Sequence, residues 1–334
     1  MTMRVVVLGG GSWGTTVAHL AAHNTDTVLW CRDPEVAEAV TDRDENIRYL
    51  EGFTLHPNLV ATTDMEAAVS GADLLVVGVP SHAFRSTLEA VAPSLRPWVP
   101  IVSLTKGLEQ TTLLRMSEVA TEVIPGHPAG ALTGPNLAKE ILGGSAAASV
   151  IAMTDSEIAQ RLQAVFTTDL FRVYTNSDVA GCELGGALKN VIAVASGMAD
   201  GLGTGDNTRA AVITRGLAEL SRLGVAMGGE PATFAGLAGM GDLVATCISS
   251  QSRNRYVGEQ LGRGRTLGDI IDEMNQVAEG VKTAKVVTEL GRRHGVDMPI
   301  SEEVHGVIIG DRTAGEAYRG LMSRRITSES APPT

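Results

Sequence analysis

One lysine is the most informative residue for chemistry in this chain. Lys189 lies in a run of small and apolar residues, 186–210, and no charged side chain occurs within four positions of it, so its own helix offers the amine no partner. Burial in such surroundings disfavours the charged ammonium, which predicts a lowered pKa and an amine suited to proton transfer. The alternative is a structural lysine whose stem packs while its amine reaches water. This window alone leaves both readings open.

A second signal lies at the start of the chain, where GGGSWG places Gly9, Gly11 and Gly14 in the GxGxxG spacing. An apolar run at 4–8 precedes these glycines and a helical pattern follows them. In that context the glycines provide a tight turn, close approach to a pyrophosphate, and packing of helix on strand. The turn therefore predicts a bound dinucleotide, and its alternative is a purely structural glycine-rich turn.

The end of the next predicted strand, at 27–30, leaves the choice between NAD and NADP open. The acidic residue expected beside the ribose is displaced, because Cys31 and Arg32 come before Asp33. Arg32 can bind a 2′-phosphate or stack on adenine, and otherwise it is an ordinary surface arginine. Both cofactors are compatible with this sequence.

Two other motifs overlap the same region. Gly10, Ser12 and Gly14 spell the GxSxG elbow of hydrolases, but that reading would make the dinucleotide spacing a coincidence. His19 and His23 have a spacing that suits a metal ion, yet HLAAH lacks the glutamate of HExxH. We expect neither a hydrolase nor a metal site here.

Composition narrows the classes of function. The net charge of -11, with no basic tract, argues against nucleic-acid binding, so an anionic substrate must meet a local group of cations. Cys31, Cys182 and Cys247 are far apart and form no CxxC, which predicts neither disulfides nor a thiolate metal site and favours a reducing compartment. No apolar run is long enough to span a membrane, and we expect a soluble cytoplasmic protein.

The elements that must position these residues change character along the chain. Short β-branched runs alternate with amphipathic stretches in the first half, which predicts parallel strands with crossover helices. From Asp178 onward the patterns are helical, with Pro231 in one first turn and Thr266 with Asp269 as a capping pair. We therefore predict an α/β fold, with a Rossmann-type doubly wound sheet at 1–178 followed by an all-α domain at 179–334. The predicted strands are 4–8, 27–30, 72–79, 100–105, 129–133, 147–153 and 171–175.

Several motifs in order make the chain similar, over essentially its whole length, to the bacterial NAD(P)-dependent sn-glycerol-3-phosphate dehydrogenases. The resemblance implies an oxidoreductase that interconverts dihydroxyacetone phosphate and sn-glycerol 3-phosphate by hydride transfer and feeds glycerophospholipid synthesis. The motifs are GxGxWGT at 9–15, TKGLE at 105–109, GPNLAKE at 134–140, the segment from Gly186, GMGDLVATC at 239–247, SRNR at 252–255 and VAEGV at 277–281.

Reduction of a ketone needs a hydride, which nicotinamide supplies, and a proton donor for the nascent alkoxide. The resemblance implies that Lys189 is this acid and base. Lys106, at the carboxyl end of a predicted strand, is expected to polarise the carbonyl or orient the substrate. Asp242 is expected to hold Lys189 or to accept from a substrate hydroxyl, with Asn190 as a weaker candidate for an orienting role.

The substrate phosphate needs donors, and the SRNR segment offers Ser252, Arg253, Asn254 and Arg255. The resemblance implies that the first three contact the substrate, and Arg255 is expected to be structural. Taken alone, an RNR segment is a solvated helix face in most proteins. Asn136 departs from the hydroxyl residue common in the family, which puts its side-chain contact in doubt. The substrate-binding set implied by the resemblance is Lys106, Gly134, Asn136, Lys189, Asp242, Ser252, Arg253 and Asn254. The cofactor-binding set is Gly9, Gly11, Ser12, Trp13, Gly14, Arg32, Tyr49, Lys106, Ala138, Arg253, Val277 and Glu279.

Two alternatives to this function stay open. One is a related two-domain hydroxyacid or 6-phosphogluconate-like dehydrogenase with a carboxylate in place of the phosphate, against which SRNR argues. The other is a dinucleotide-sensing protein without turnover, against which the presence of Lys106, Lys189, Asp242 and Arg253 argues. The expected partner is a small phosphorylated three-carbon substrate, and the apolar helical half makes a homodimer reasonable.

Overall fold

The structure, a computed structural model, describes residues 3–274 and 278–324. The chain divides into two compact units, Met1–Glu183 and Leu184–Thr334. The strands are β1 (Arg4–Leu8), β2 (Asp26–Trp30), β3 (Val60–Thr62), β4 (Leu74–Val77), β5 (Ile101–Ser103), β6 (Ala129–Thr133), β7 (Ala147–Ala152) and β8 (Phe171–Asn176). The helices around them are α1 (Ser12–Ala22), α2 (Pro34–Arg43), α3 (Met65–Ser70), α4 (Ser81–Val91), α5 (Met116–Val123), α6 (Ala138–Leu142) and α7 (Ser156–Phe166).

The strands of the first unit form one sheet in the order β3-β2-β1-β4-β5-β6-β7-β8. Alternate side chains of β1 enter two separate cores, Val5 and Val7 on one face and Val6 and Leu8 on the other, as expected for a strand covered on both sides. The strand order reverses between β1 and β4, and ligands of such sheets bind at the carboxyl ends of the strands there. The predicted fold class is confirmed.

The sheet has one antiparallel pair, because β7 runs antiparallel to β6, with Leu132 opposite Ile151. The connection at 134–146 contains only the short α6 and does not cross back over the sheet. The chain therefore turns round at the carboxyl edge of β6, and the GPNLAKE segment stays at that edge. The short strand β3 was not predicted, since its three residues carry too little pattern.

Among the described residues of the second unit, all regular secondary structure is helical. Pro231 opens a helix at its first position, and the predicted Thr266 cap is confirmed, since its hydroxyl accepts from the backbone N–H of Asp269 at 3.3 Å. No described helix has the length and apolar character needed to cross a membrane. The elements are α8 (Val179–Gly201), which begins in the first unit, α9 (Asp206–Ala226), α10 (Pro231–Ala235), a π-helical turn (Leu237–Gly241), α11 (Asp242–Ile248), α12 (Arg253–Gly262), α13 (Leu267–Glu273), α14 (Glu279–His294), α15 (Pro299–Ile308) and α16 (Ala314–Met322).

A buried carboxylate joins α9 to α15. Glu219 is 1 % exposed and accepts hydrogen bonds from the backbone N–H groups of Ile300 at 2.6 Å and Ser301 at 3.3 Å. The Ser301 hydroxyl donates to the same carboxylate at 3.2 Å. Burial raises the pKa of Glu219 to about 7, although these hydrogen bonds oppose the shift. The N-terminus of α15 is therefore held by a group that titrates near neutral pH.

Candidate functional site

The glycine turn joins β1 to α1 beside the reversal of strand order. Gly9 has a φ of 123°, which an L side chain rarely adopts, and a Cβ there would lie 2.7 Å from the carbonyl oxygen of Gly78. A Cβ on Gly14 would lie 2.0 Å from the carbonyl oxygen of Gly9. At Gly11, in contrast, a Cβ would meet nothing within 4 Å. Two glycines therefore serve close backbone packing, and the third faces open space where a ligand fits.

The N-terminus of α1 suits a phosphate group. Gly11 is its N-cap, no side chain caps it, and its first turn contains no acidic residue. The free N–H groups and the positive end of the helix both favour an anion there. The indole N–H of Trp13 is buried and has no hydrogen-bond partner among the described residues. Such a donor costs about 1–3 kcal/mol, and a ligand oxygen that accepts from it removes that penalty.

The segment carrying Tyr49 lies against this turn. The Ser12 hydroxyl donates to the backbone carbonyl of Tyr49 at 3.4 Å, and the Arg48 guanidinium lies 5.7 Å from the centre of the Tyr49 ring. Asn46, which no motif singled out, is fully buried and donates to the carbonyl oxygen of Gly10 at 2.9 Å. That contact spans 36 residues, so nothing in the local sequence marks Asn46.

The polar residues after β2 have different roles. Arg32 is exposed and has no hydrogen bond or ion pair to any other described residue. The Asp33 carboxylate caps α2 by accepting from the N–H of Glu35 at 3.1 Å, and it pairs with Arg48 at 2.9 Å. Asp33 is therefore already engaged, whereas the Arg32 guanidinium is available to a ligand.

The cysteines offer no reactive thiol. Cys31, Cys182 and Cys247 are all free and buried. Burial raises the pKa of Cys31 to about 11 and that of Cys247 to about 12, and it raises the pKa of Cys182 as well. A thiolate at neutral pH is accordingly scarce at all three positions.

The two histidines of the HLAAH segment lie with their Nε2 atoms 3.4 Å apart, and the ring of His56 is centred 4.4 Å from that of His23. Burial and the two neighbouring imidazoles lower the pKa of His19 to about 4. Across residues 3–274 and 278–324, no set of three or more His, Cys, Asp or Glu side chains is placed to hold a metal ion.

Lys106 and the loop after β6 meet at the carboxyl edge of the sheet. The Lys106 ammonium donates to the carbonyl oxygen of Gly134 at 2.8 Å. Gly134 has a φ of 137°, so the loop leaves β6 in a conformation that favours glycine. Ala138 opens α6 a few residues later. The antiparallel return of β7 keeps this loop beside Lys106.

The amide orientation of Asn136 follows from its neighbours. The Ser149 hydroxyl has one proton and donates it to the carbonyl oxygen of Thr133 at 2.7 Å. The contact of 3.3 Å between Asn136 and Ser149 must therefore be donated by the amide nitrogen, Nδ2. The amide oxygen of Asn136 is then buried with no hydrogen-bond partner in the described chain. It can accept from a hydroxyl of a ligand.

In the second unit Lys189 is 4 % exposed and lies on α8. Its ammonium lies 3.2 Å from the carboxylate of Asp242 and donates to the Thr246 hydroxyl at 2.6 Å. Both partners belong to α11 and not to the helix that carries Lys189, and the ion pair is the contact that was expected of Asp242. Thr246, which sequence reasoning missed, donates a hydrogen bond from its hydroxyl to the backbone carbonyl of Asp242 at 2.7 Å.

The π-helical turn positions Asp242 at the start of α11. A Cβ on Gly185 of α8 would lie 2.6 Å from the carbonyl oxygen of Ala238 in that turn, and one on Gly239 would lie 2.2 Å from the carbonyl oxygen of Phe234. Gly185 therefore lets α8 approach the turn closely, and Gly239 lets the turn pack against α10. The 2 %-exposed carboxylate of Asp242 is thereby brought to Lys189.

The SRNR segment opens α12. Ser252 is its N-cap and accepts from the N–H of Arg255 at 3.2 Å, and Arg253 is its first residue. Asn254 is buried, donates to the side-chain oxygen of Asn190 at 2.9 Å and accepts from the N–H of Gly280 at 2.8 Å. Arg255 pairs with Asp200 at 2.9 Å. Ser252, Asn254 and Arg255 are thus built into the unit, whereas Arg253 is exposed.

Glu279 is the first residue of α14. Burial raises the pKa of Glu279, and the charges of Lys282 and Arg253 oppose that rise. Glu279 therefore lies within electrostatic reach of Arg253, as a shared site at 253 and 279 requires. Val277 lies outside the described residues.

Comparison with known proteins matches both halves of the chain to the same family. Residues 4–159 match the family described as NAD-dependent glycerol-3-phosphate dehydrogenase N-terminus, and residues 178–319 match its C-terminus. A protein of Sphingopyxis alaskensis named glycerol-3-phosphate dehydrogenase (NAD(P)+) 2 is 57% identical over 332 residues, 99% of this chain and 100% of that protein. A Mycobacterium avium protein named glycerol-3-phosphate dehydrogenase (NAD(P)+) is 56% identical over 96% of this chain and 94% of its own length.

Comparison with solved structures also finds this fold in a member of that family. The crystal structure of a glycerol-3-phosphate dehydrogenase from Coxiella burnetii matches with a TM-score of 0.91 and 34% identity, covering 97% of this chain and 99% of that chain. A ketopantoate reductase family member from Ralstonia eutropha matches with a TM-score of 0.59 and 17% identity, covering 95% of this chain and 100% of that chain, which shows similarity of fold alone.

Proposed function

Since this chain belongs to the NAD-dependent glycerol-3-phosphate dehydrogenase family, we propose that its buried pair of Lys189 and Asp242 carries the proton transfer of the reaction. The chain is an NAD(P)-dependent oxidoreductase acting on glycerol 3-phosphate. The family match over both halves sets aside the hydroxyacid and 6-phosphogluconate-like alternative. The observation that carries the proposal is an ammonium and a carboxylate, each almost fully buried, held 3.2 Å apart.

The glycine turn fits the pyrophosphate of a dinucleotide. The open space at Gly11, the uncapped start of α1 and the unpartnered indole N–H of Trp13 all favour a bound anion. When bound, the nicotinamide supplies the hydride. The further residues that we assign to cofactor binding, on family grounds, are Gly9, Ser12, Gly14, Arg32, Tyr49, Lys106, Ala138, Arg253, Val277 and Glu279.

Lys189 acts as a general acid toward the oxygen of dihydroxyacetone phosphate and as a general base in the reverse direction. Two of its three N–H groups have acceptors in Asp242 and Thr246, which leaves one for the substrate oxygen. The carboxylate of Asp242 keeps the ammonium in place, and Thr246 fixes the direction of the amine. The proton therefore has one defined donor atom, the Nζ of Lys189.

Lys106 orients the substrate and polarises its carbonyl. Its hydrogen bond to the Gly134 carbonyl, at 2.8 Å, fixes the ammonium at the carboxyl edge of the sheet. The amide oxygen of Asn136 accepts from a substrate hydroxyl, since Ser149 already holds the amide nitrogen. An amide thus replaces the hydroxyl residue common in the family while still supplying a hydrogen-bond acceptor.

Ser252, Arg253 and Asn254 bind the substrate phosphate. The Arg253 guanidinium provides the fork that suits phosphate oxygens, and it lies in the first turn of α12, where the helix end adds positive charge. One N–H of the Asn254 amide is used by Asn190, and the second remains for the ligand.

The cellular role follows from the product. Glycerol 3-phosphate is a precursor for glycerophospholipids, so we assign the chain to that branch of lipid metabolism. Three free, buried cysteines support a cytoplasmic location. The ground for also proposing a homodimer is the apolar character of the helical half of the chain.

The proposed function is tested by mixing purified protein with dihydroxyacetone phosphate and following the absorbance of NADH and of NADPH in separate assays. We expect oxidation of at least one cofactor, with no oxidation when unphosphorylated dihydroxyacetone replaces the substrate, because Arg253 then has no phosphate to bind. Binding of reduced cofactor without any turnover would instead support the dinucleotide-sensing alternative.

A further inference from the structure

We propose that Asn46 is a positioning residue for the dinucleotide, one that sets the orientation of the glycine turn and fastens the Tyr49 segment to it. Asn46 belongs to no motif, and its side chain is too deeply buried to touch a ligand, with no exposed surface. The inference rests on the proposed function, because it concerns the cofactor site of the same enzyme.

All the hydrogen-bonding capacity of the Asn46 amide is used. Its nitrogen donates to the Gly10 carbonyl at 2.9 Å and to the Thr15 hydroxyl at 2.8 Å. Its oxygen accepts from the backbone N–H groups of Arg48 at 3.3 Å and Tyr49 at 3.2 Å. One side chain therefore joins the glycine turn, the first turns of α1 and the segment that carries Tyr49.

The contact with Gly10 controls where the next N–H points. In a planar trans peptide the carbonyl and the following N–H point in opposite directions. The Gly10 carbonyl points at the buried amide of Asn46. The N–H of Gly11, in the same peptide group, therefore points in the opposite direction, away from Asn46. Gly11 is also the residue whose Cβ position has no neighbour within 4 Å. Asn46 thus presents a donor to the space where the pyrophosphate fits.

The turn is held from its other side as well. The N–H of Gly9 donates to the carbonyl of Trp30 at 2.9 Å, and a Cβ on Gly10 would lie 2.5 Å from the Cβ of Cys31. The β2 side consequently fixes the start of the turn, and Asn46 fixes its end. Only an amide of this length both donates to a carbonyl and accepts from two backbone N–H groups at that position.

The test compares wild type with Asn46→Ser and Asn46→Leu, which remove the amide without adding charge beside a phosphate. The matched control is Asn24→Ser. The Asn24 amide also donates to two backbone carbonyls of the first unit, those of Val165 at 3.1 Å and Thr167 at 2.9 Å, but it follows the opposite end of α1. Three quantities are measured for each variant: the Kd for NADH and NADPH by nicotinamide fluorescence, the KM and kcat with dihydroxyacetone phosphate, and the Tm.

We expect Asn46→Ser to raise the Kd for reduced cofactor about tenfold or more, which is the effect of losing roughly one to two polar contacts. At saturating cofactor its kcat and its KM for dihydroxyacetone phosphate remain near those of wild type, because the substrate groups are untouched. Asn24→Ser lowers the Tm but leaves the Kd unchanged. If Asn46→Leu does not fold, Asn46→Ser decides the question.

A wild-type Kd in Asn46→Ser overturns the proposal, as does an equal rise of Kd in Asn24→Ser, since the loss would then reflect general destabilisation. Both outcomes leave the proposed function intact as long as the wild-type enzyme oxidises cofactor. A wild-type protein that binds neither NADH nor NADPH overturns the proposed function together with the role of Asn46.

Discussion

At the scale of single residues, Lys189 shows how a buried charge is kept usable. Its ammonium has a carboxylate and a hydroxyl as partners, both supplied by the first two turns of α11. Removal of one member of a buried ion pair typically costs about 3–5 kcal/mol, because the other charge is left uncompensated. A role in stability and a role in proton transfer therefore have to be separated by experiment.

Replacement of Lys189 by methionine, which keeps the length of the stem, removes the proton donor. We expect kcat to fall by about two to four orders of magnitude, with an unchanged Kd for reduced cofactor, since the glycine turn is untouched. Steady-state kinetics and nicotinamide fluorescence measure the two quantities. The double variant Lys189→Met with Asp242→Asn recovers part of the lost Tm by removing the unpaired charge, but it recovers none of the turnover.

The control for this variant is Lys285→Met, an exposed lysine on α14 in the same unit. It should leave kcat near the wild-type value. Turnover of Lys189→Met within a factor of about ten of wild type would contradict the acid and base role of this amine.

The sequence was informative about Lys189 but not about its full environment. Its isolation among apolar neighbours on α8 is visible in the sequence, and Asp242 stood out in the glycine-rich GMGDL. Thr246 did not stand out, because a threonine in a helix is commonplace and its contact with Lys189 spans 57 residues. Long-range contacts of this kind depend on how α11 packs on α8, which no local pattern encodes.

At the scale of elements, the glycine turn was predictable because all of its parts are local. Strand, turn and helix follow one another within the first 22 residues, and the GxGxxG spacing encodes close backbone packing at Gly9 and Gly14 and open space for a ligand at Gly11. The direction of β7 was not predictable in this way. Its residues, AASVIA, suit a parallel or an antiparallel neighbour equally, and the short connection through α6 decides between the two.

Two alanine substitutions in this turn should affect different properties, one the stability of the fold and the other the binding of cofactor. Gly14→Ala places a methyl group 2.0 Å from the Gly9 carbonyl oxygen, so we expect a loss of stability of about 1–3 kcal/mol or more. Gly11→Ala meets no protein atom and has an ordinary extended backbone, with φ -76° and ψ 175°, so the Tm should change little. Its methyl group instead occupies the phosphate space and weakens binding of reduced cofactor.

Thermal unfolding and cofactor titration of the two variants, side by side, check this pair of predictions. A Gly11→Ala protein that binds NADH and NADPH as tightly as wild type would show that the phosphates lie elsewhere.

At the scale of the whole molecule, Glu219 makes stability depend on pH. Its pKa rises from the ordinary 4.5 to about 7 in the folded chain, so between these values the native state binds a proton more tightly than the unfolded chain does. The contribution of this group to stability is therefore complete below pH 4.5 and is lost as the pH rises through about 7. The full span is on the order of 3 kcal/mol.

The expected result is that wild type loses stability relative to Glu219→Gln as the pH is raised from about 5 to about 8. Urea unfolding at a series of pH values measures the difference. Glu302→Gln, an exposed glutamate on α15, is the control and should follow the wild-type curve. Parallel curves for wild type and Glu219→Gln would contradict the raised pKa.

The burial of Cys31, Cys182 and Cys247 gives the enzyme a practical property. Maleimide dyes react with thiolates, so the native protein should remain unlabelled at neutral pH without any of the three being replaced. A single cysteine introduced on the surface would then carry one fluorophore alone, which makes the unaltered chain a ready background for spectroscopic probes of turnover.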